Sequence, residues 1–402
     1  NAVQSAVRRF EEMRQVEIGY DVPPAIIFQP KPVVQESGQP MRRGARPIEW
    51  TPPQLPSDEE ELAFLPVTEL AALLRAREVS SVELTKMYLA RLDRFDKFLH
   101  CVVSMTDDLA MRQARQADRE MATGRYRGPL HGIPWGAKDL ISYPGYKTTW
   151  GATPYQDQRL ETKATVAARL DEAGAVLLAK LSLGALAWGD KWFGGMTRNP
   201  WNVKQGSSGS SAGSASATAA GLVGFALGSE TLGSIVSPCK RCGCSGLRPT
   251  FGRVSRHGCM TLAWSMDKIG PICRSVEDCA LVLDAIHGRD GLDATAIDQP
   301  FSWPPRRDLR TMTIGYFDTE SDTKPVVEVL RQLGAKLIPI ELPKDLPVGA
   351  LTLILDAESA AVFDDLTRNN ITEGLNRWPP VFRQGQFIPA VEYLRANRIR
   401  TL

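Results

Sequence analysis

The residues best suited to chemistry crowd into one stretch, G-S-S-G-S-S-A-G-S at 206–214. Ser207, Ser208, Ser210, Ser211 and Ser214 bring hydroxyls, and their neighbours are too small to obstruct backbone N–H groups. A tract of this kind can be a flexible linker, but apolar, structured sequence continues on both sides without a break in composition. A phosphate-cradling loop would need G-x4-G-K-[ST] or G-x-G-x-x-G, and neither pattern occurs here. Gly209-Ser210-Ser211-Ala212-Gly213 does fit G-x-S-x-G, the nucleophile elbow of α/β-hydrolases, with Ser211 central. That fold needs a late histidine as base. Of His100, His131, His257 and His287 only the last two follow the tract, and neither completes a Ser…Asp…His order.

A hydrolase without histidine needs another base. Lysine can serve, because burial disfavours its charged form and frees the amine lone pair. The best-placed candidate is Lys138, in H-G-I-P-W-G-A-K-D-L at 131–140, where it ends a segment that reads as a buried strand. The competing reading is a Lys138–Asp139 pair at a surface turn. Local sequence alone favours that pair.

These side chains must be held by helices and strands, and the apolar pattern supplies both. Strands are expected at 133–138, 175–179 and 223–227, and helices at 108–123, 165–172 (closed near Gly174) and 212–220. Ser80 and Glu83 form a capping-box pair ahead of a helix carrying Leu84, Met87, Tyr88, Leu92 and Phe95 on one face. Ser275 and Asp278 open another helix through Ile286, and 312–317, 326–333 and 337–342 read as strand, helix, strand with Gly334 as the stop. Such alternation argues for an α/β layered fold. Residues 3–16 suit a short charged helix, and the proline-rich 22–56 suit an extended arm or linker. The helical periodicity of 391–402 stops without a cap, so the expectation is a chain cut inside a helix with its C-terminal part missing. No internal repeat is found.

Bulk composition bounds the partners. Among 402 residues, 48 Lys+Arg nearly balance 46 Asp+Glu, a formal charge of +2. No basic excess points to nucleic acid, so none is expected as a partner, and a small-molecule substrate is. No run approaches the roughly 20 apolar residues of a membrane span. A soluble protein follows, cytoplasmic by default, with a cleaved export signal left open because the chain begins at Asn1. Cys239, Cys242 and Cys244 form C-x2-C-x-C, yet no second C-x2-C pair follows to complete a zinc site. Thiols packed as small apolar residues are the better account.

Several segments resemble, in order, the motifs of the amidase signature family. H-G-I-P-W-G-A-K-D-L is similar to its G-x-P-x-x-x-K-D lysine motif, T-R-N-P-W-N at 197–202 to the lead-in of its Gly/Ser signature, and G-S-S-A-G-S at 209–214 to G-S-S-G-G-S. G-S-E-T-L-G-S at 228–234 is similar to G-S-D-T-G-G-S, and G-L-R-P-T-F-G-R-V-S at 246–255 to G-L-K-P-T-x-G-R-V-S. S-M-D-K-I-G-P at 265–271 follows in family order, so the resemblance covers roughly 65–290.

The resemblance implies an α/β amidase signature fold, a central mixed, largely parallel twisted sheet with helices on both faces, over 61–402, preceded by the N-terminal helix and arm at 1–60. It implies a metal-independent amide hydrolase, without cofactor, that uses Ser234 as nucleophile, Ser210 as bridging serine and Lys138 as base. Ser210 and Ser234 lie 24 residues apart, the family's spacing. The Gly209–Ser210 peptide is expected to be cis, the amides of Thr231, Leu232, Gly233 and Ser234 to form an oxyanion hole, and Gly209, Ser211 and Met196 to bind substrate. Three positions depart from the pattern: Glu230 replaces Asp, Leu232 replaces Gly, and Val236 stands where many members carry Arg. Leu232 puts the oxyanion loop in question, because Leu cannot easily take the positive φ that Gly reaches freely. A free-standing amidase acting on small amides, with esters or carbamates also in range, is the leading expectation. The alternatives are a glutaminase subunit of a tRNA amidotransferase and a non-catalytic amidase-fold binding protein, and a homodimer is left open.

Overall fold

A six-stranded sheet fixes the geometry around the Gly/Ser tract, and its strands are β1 (Val102–Met105), β2 (Pro134–Lys138), β3 (Val176–Leu181), β4 (Phe225–Glu230), β5 (Ser245–Gly246) and β6 (Lys268–Cys273). The computed structural model describes residues 2–18, 22, 50–303, 308–317 and 323–402. The strand order is β1-β3-β2-β4-β6-β5. The centre, β3-β2-β4, is parallel, while β1, β6 and β5 pair antiparallel outside it. The sheet is therefore mixed with a parallel heart, as the fold expectation has it. Every residue of β2, β3 and β4 is buried. Because strand side chains alternate between faces, both faces of the centre are covered.

Two strands run further than their apolar patterns imply. The pattern places β4 at 223–227, but the strand occupies Phe225–Glu230. Its polar end is held because Gly228, Ser229 and Glu230 face Gly270, Ile269 and Lys268 of β6 in an antiparallel ladder. The pattern ends β3 at Ala179, but the strand continues through Lys180 and Leu181. A buried ammonium is tolerable there because Lys180 Nζ pairs with Asp139 at 2.7 Å.

Local signals set the helices. The Ser81–Leu99 helix carries the expected capping box, with the Glu83 amide donating to Ser80 Oγ and the Ser80 amide to Glu83 Oε2. Ser275 caps Val276–Ile286 through the Asp278 amide. The Ala212–Ala219 helix is made wholly of Ala, Gly, Ser and Thr. That smallness is a packing requirement, since a Cβ at Gly213 would meet Cys101 O at 2.4 Å and Ser182 N at 2.5 Å.

The chain divides into two compact units: Asn1–Pro24 with Ser302–Thr352 and Ala390–Leu402, and Ala25–Phe301 with Leu353–Pro389. The sheet above belongs to the second. This division differs from the sequence expectation of a 1–60 arm and a single 61–402 domain. The first unit holds the expected N-terminal helix at Ala2–Arg14 and a parallel pair, β7 (Thr313–Tyr316) and β8 (Lys336–Pro339), joined by the helix Lys324–Gln332. Arg14 Nε donates to Glu392 Oε1 at 2.8 Å within it, tying the first helix to Ala390–Ile399. Most of the proline-rich 22–56 lies outside the described residues.

Candidate active site

Lys138 closes β2, next to β4 in parallel register, so its side chain emerges beside the polar end of that neighbour. The side chain is 0% exposed. Its Nζ lies within hydrogen-bond reach of Ser210 Oγ at 2.8 Å, Ser229 Oγ at 2.8 Å, Ser211 Oγ at 3.0 Å and the Ser229 carbonyl at 3.2 Å. All four partners are neutral oxygens. The Asp139 pairing that local sequence favours does not form, because Asp139 takes the Lys180 ammonium and the Thr149 amide instead. Burial pulls the Lys138 amine down to about 7, against a smaller upward pull from Asp267 and Glu230.

The hydroxyls of the tract have separate fates. Ser210 is buried and follows a cis Gly209–Ser210 peptide, as expected. Ser211 is also buried, and its hydroxyl donates to the Ser229 carbonyl at 3.0 Å while accepting from the Ser229 amide at 3.1 Å. With both functions spent on β4, Ser211 is not presented as an elbow nucleophile. Ser208 pairs with Ser237 at 2.8 Å, and Ser214 donates to Leu227 O at 2.9 Å.

Ser234 sits in the turn between β4 and the short helix Val236–Cys242. The Ser211 amide donates to its carbonyl at 3.0 Å, which binds this turn to the neighbour of Ser210. Glu230 anchors the far side, accepting the Ile235 amide at 2.7 Å and the Val236 amide at 3.0 Å and pairing with Arg248 at 3.0 Å. Although burial opposes it, this bonding holds the Glu230 carboxyl below its usual range. The left-handed backbone of the turn falls on Gly233, with φ 88°, and not on Leu232. The Leu-for-Gly departure is thus accommodated without strain. The Leu232 side chain instead stands 59% exposed.

Ser234 faces a cavity of about 620 Å³. Thr231, Leu232, Gly233, Gly209 and Ser208 line it near the serine, and Trp188, Leu262, Leu355 and Trp378 give it apolar walls. Trp188 and Trp378 meet edge to face with centroids 4.6 Å apart. Asp190, Arg241 and Asp356 add charge. Of the residues expected to bind substrate, Gly209 lines the cavity, whereas Ser211 and Met196 are not among its lining residues. Gly209 has no room for a side chain, since a Cβ there would meet Gly189 O at 1.9 Å.

Two residues of the site are not singled out by the sequence reading. Ser229 gives Lys138 two of its four partners, and Asp267 holds Thr231. Both lie inside the ordered motifs, which is the signal that could have found them. The histidines stand apart, with His131 against Glu120 at 3.2 Å around a different cavity. Cys239 and Cys242 pack with Ala215, Ile235 and Ile272, as small apolar residues do. Among the described residues no helix is long and apolar enough to cross a membrane.

The chain is similar to known proteins in sequence and in fold. A family model described as Amidase matches residues 83–398. A glutamyl-tRNA(Gln) amidotransferase subunit of Geobacter metallireducens is 36% identical over 344 residues, covering 81% of this chain and 71% of its own. The corresponding subunit from Chloroflexus aurantiacus is 37% identical over 382 residues, covering 85% and 78%. Among solved structures, native peptide amidase from Stenotrophomonas maltophilia superposes with a TM-score of 0.72 at 33% identity, over 82% of this chain and 77% of that one.

Proposed function

This chain belongs to the amidase signature family, and from that premise we propose that it hydrolyses a carboxylic amide through Ser234, Ser210 and Lys138. The observation that carries the reading is the fully buried Lys138 amine, surrounded by hydroxyls and a carbonyl and held at about 7. A neutral amine has two N–H donors and one lone pair. Ser211 commits its own proton to Ser229 O, so it can only accept from Lys138. One donor then goes to Ser211 and the other to Ser229, which leaves the lone pair for the Ser210 proton at 2.8 Å.

In this mechanism the Ser234 oxygen attacks the amide carbon as its proton passes to Ser210, and the Ser210 proton passes to Lys138. The C–N bond breaks as the relay returns a proton to the departing nitrogen, leaving an ester on Ser234. Water, deprotonated by the same relay, cleaves that ester and releases the acid. The amides of Thr231, Leu232 and Ser234 are the candidate donors to the oxyanion, each worth about 3–4 kcal/mol when well aimed, whereas the Gly233 amide acts on the Glu230 carboxylate.

The apolar walls of Leu232, Leu262, Leu355, Trp188 and Trp378 support a small amide with an apolar group as substrate. A second reading, release of ammonia from glutamine, is supported by the amidotransferase subunits at 36% and 37% identity. Rates with anilides, fatty amides, carbamates and glutamine, for the wild type and Ser234→Ala, separate these. Turnover retained by Ser234→Ala would remove Ser234 from the role, and a preference for glutamine would favour the second reading.

A further inference from the structure

The turn between β4 and the Val236–Cys242 helix is fastened by Asp267, just before β6, and Lys268, its first residue, neither of which the mechanism above uses. Asp267 is buried. Its Oδ1 accepts from Thr231 Oγ1 at 2.6 Å, and its Oδ2 accepts the Leu262 amide at 2.7 Å and the Ala263 amide at 3.0 Å. One carboxylate thus joins Thr231 and Leu262, two walls of the Ser234 cavity. Lys268 Nζ donates to the Thr231 carbonyl at 3.0 Å. A trans peptide is planar, with C=O and N–H pointing in opposite directions. Fixing the Thr231 carbonyl on Lys268 therefore fixes the Leu232 N–H, which must point away from that ammonium.

We propose that Asp267 and Lys268 are positioning residues for amide hydrolysis, clamping Thr231 so that the Leu232 N–H is presented to the developing oxyanion. The proposal rests on the reading of Ser234 as nucleophile. An oxyanion donor is useful only if it is aimed before the charge appears, since reorienting a peptide during reaction consumes the stabilisation it provides. Here the side chain of Thr231 is tied at one point and its carbonyl at another, so the torsion between the Thr231 Cα and its carbonyl carbon is held. Lys268 is itself half-buried, and desolvation pulls its amine down to about 8, so the clamp is weakest in alkali.

Asp267 has a second, electrostatic consequence that separates its role from mere support. The charged or titratable groups acting with it are Lys138, Lys268, Arg256 and Cys259, and Glu230 also acts on Lys138. Its negative charge favours the protonated form of Lys138. Removing that charge lowers the pH at which Lys138 loses its proton.

The test is the rate at which a fluorophosphonate labels Ser234 between about pH 5 and 10, a span that brackets the titration of both lysines. Wild type, Ser234→Ala, Thr231→Val, Lys268→Met, Lys268→Arg and Asp267→Asn are compared, each with its thermal unfolding midpoint. Thr231→Val and Lys268→Met are expected to label about tenfold more slowly on the plateau, with the acid limb unmoved, and Lys268→Arg to recover most of the rate. Asp267→Asn is expected to show the same slowing and an acid limb shifted down by roughly half a unit or more. If folded Thr231→Val and Lys268→Met label at the wild-type rate, the clamp is overturned. They decide the matter even where Asp267→Asn does not fold. Absence of Ser234 labelling in the wild type would instead sink the amidase reading beneath it.

Discussion

Lys138 shows how much one residue's environment determines. Its chemical type says only that it carries an amine. Its burial among neutral oxygens pulls that amine down to about 7, which suits it to the proposed role of base. Because the protonated form cannot accept a proton, kcat/KM is expected to fall tenfold per unit as pH drops well below about 7. Lys138→Ala should abolish that limb and lower the rate by at least about a thousandfold, as measured by amide turnover across the pH range. A profile that followed His131 instead would refute the lysine as base. Ser229→Ala, which deletes one 2.8 Å partner of Nζ but leaves the carbonyl, should slow turnover while leaving Ser234 labelled.

At the scale of elements, the site depends on how closely the small-residue helix Ala212–Ala219 approaches the sheet. Gly213→Ala would drive a methyl group into the Cys101 carbonyl at 2.4 Å, a backbone atom that cannot swing aside. A loss of about 1–3 kcal/mol is expected, read from a denaturant midpoint. Ser80→Ala, remote from the site, removes the cap of Ser81–Leu99 and should cost about 1 kcal/mol without changing KM. Elements are legible in the sequence where one apolar pattern spans them. The helices expected at 108–123 and 165–172 fall at Asp107–Ala122 and Thr165–Glu172, and the Ser80–Glu83 capping box stands where its motif places it. The ends of β3 and β4 are not legible, because a charged or polar strand terminus is stabilised by a partner distant in sequence, which no local window contains.

For the molecule as a whole, the buried lysine carries a stability cost that depends on pH. The folded state holds Lys138 near 7, whereas the unfolded chain keeps it near the ordinary 10.5, so between these values the unfolded chain binds more protons. Stability must then rise with pH through this window, and the penalty is fully present below about 7. From this one group the gain between about pH 7 and 9 is about 2 kcal/mol. Lys268, drawn down to about 8, adds to the slope in the same sense. The difference between wild type and Lys138→Met isolates the first contribution, and the denaturation free energy should be flatter with pH in the variant. An equal slope in both would contradict a depressed amine at position 138.

The sequence by itself determined the family's ordered motifs, the α/β alternation and the types of residue available for the chemistry. It could do so because spacing and periodicity are properties of the chain. Partnership was decided only in three dimensions. Asp139 lies beside Lys138 in sequence but is claimed by Lys180 at 2.7 Å, 41 residues on, and this leaves Lys138 among hydroxyls. Likewise Leu232 avoids strain because Gly233 takes the left-handed turn, and Asp267 gains its place because β6 runs antiparallel to β4. Charge pairing and backbone torsion are settled by what packs alongside, so a residue's neighbours in space decide which of its local options survives.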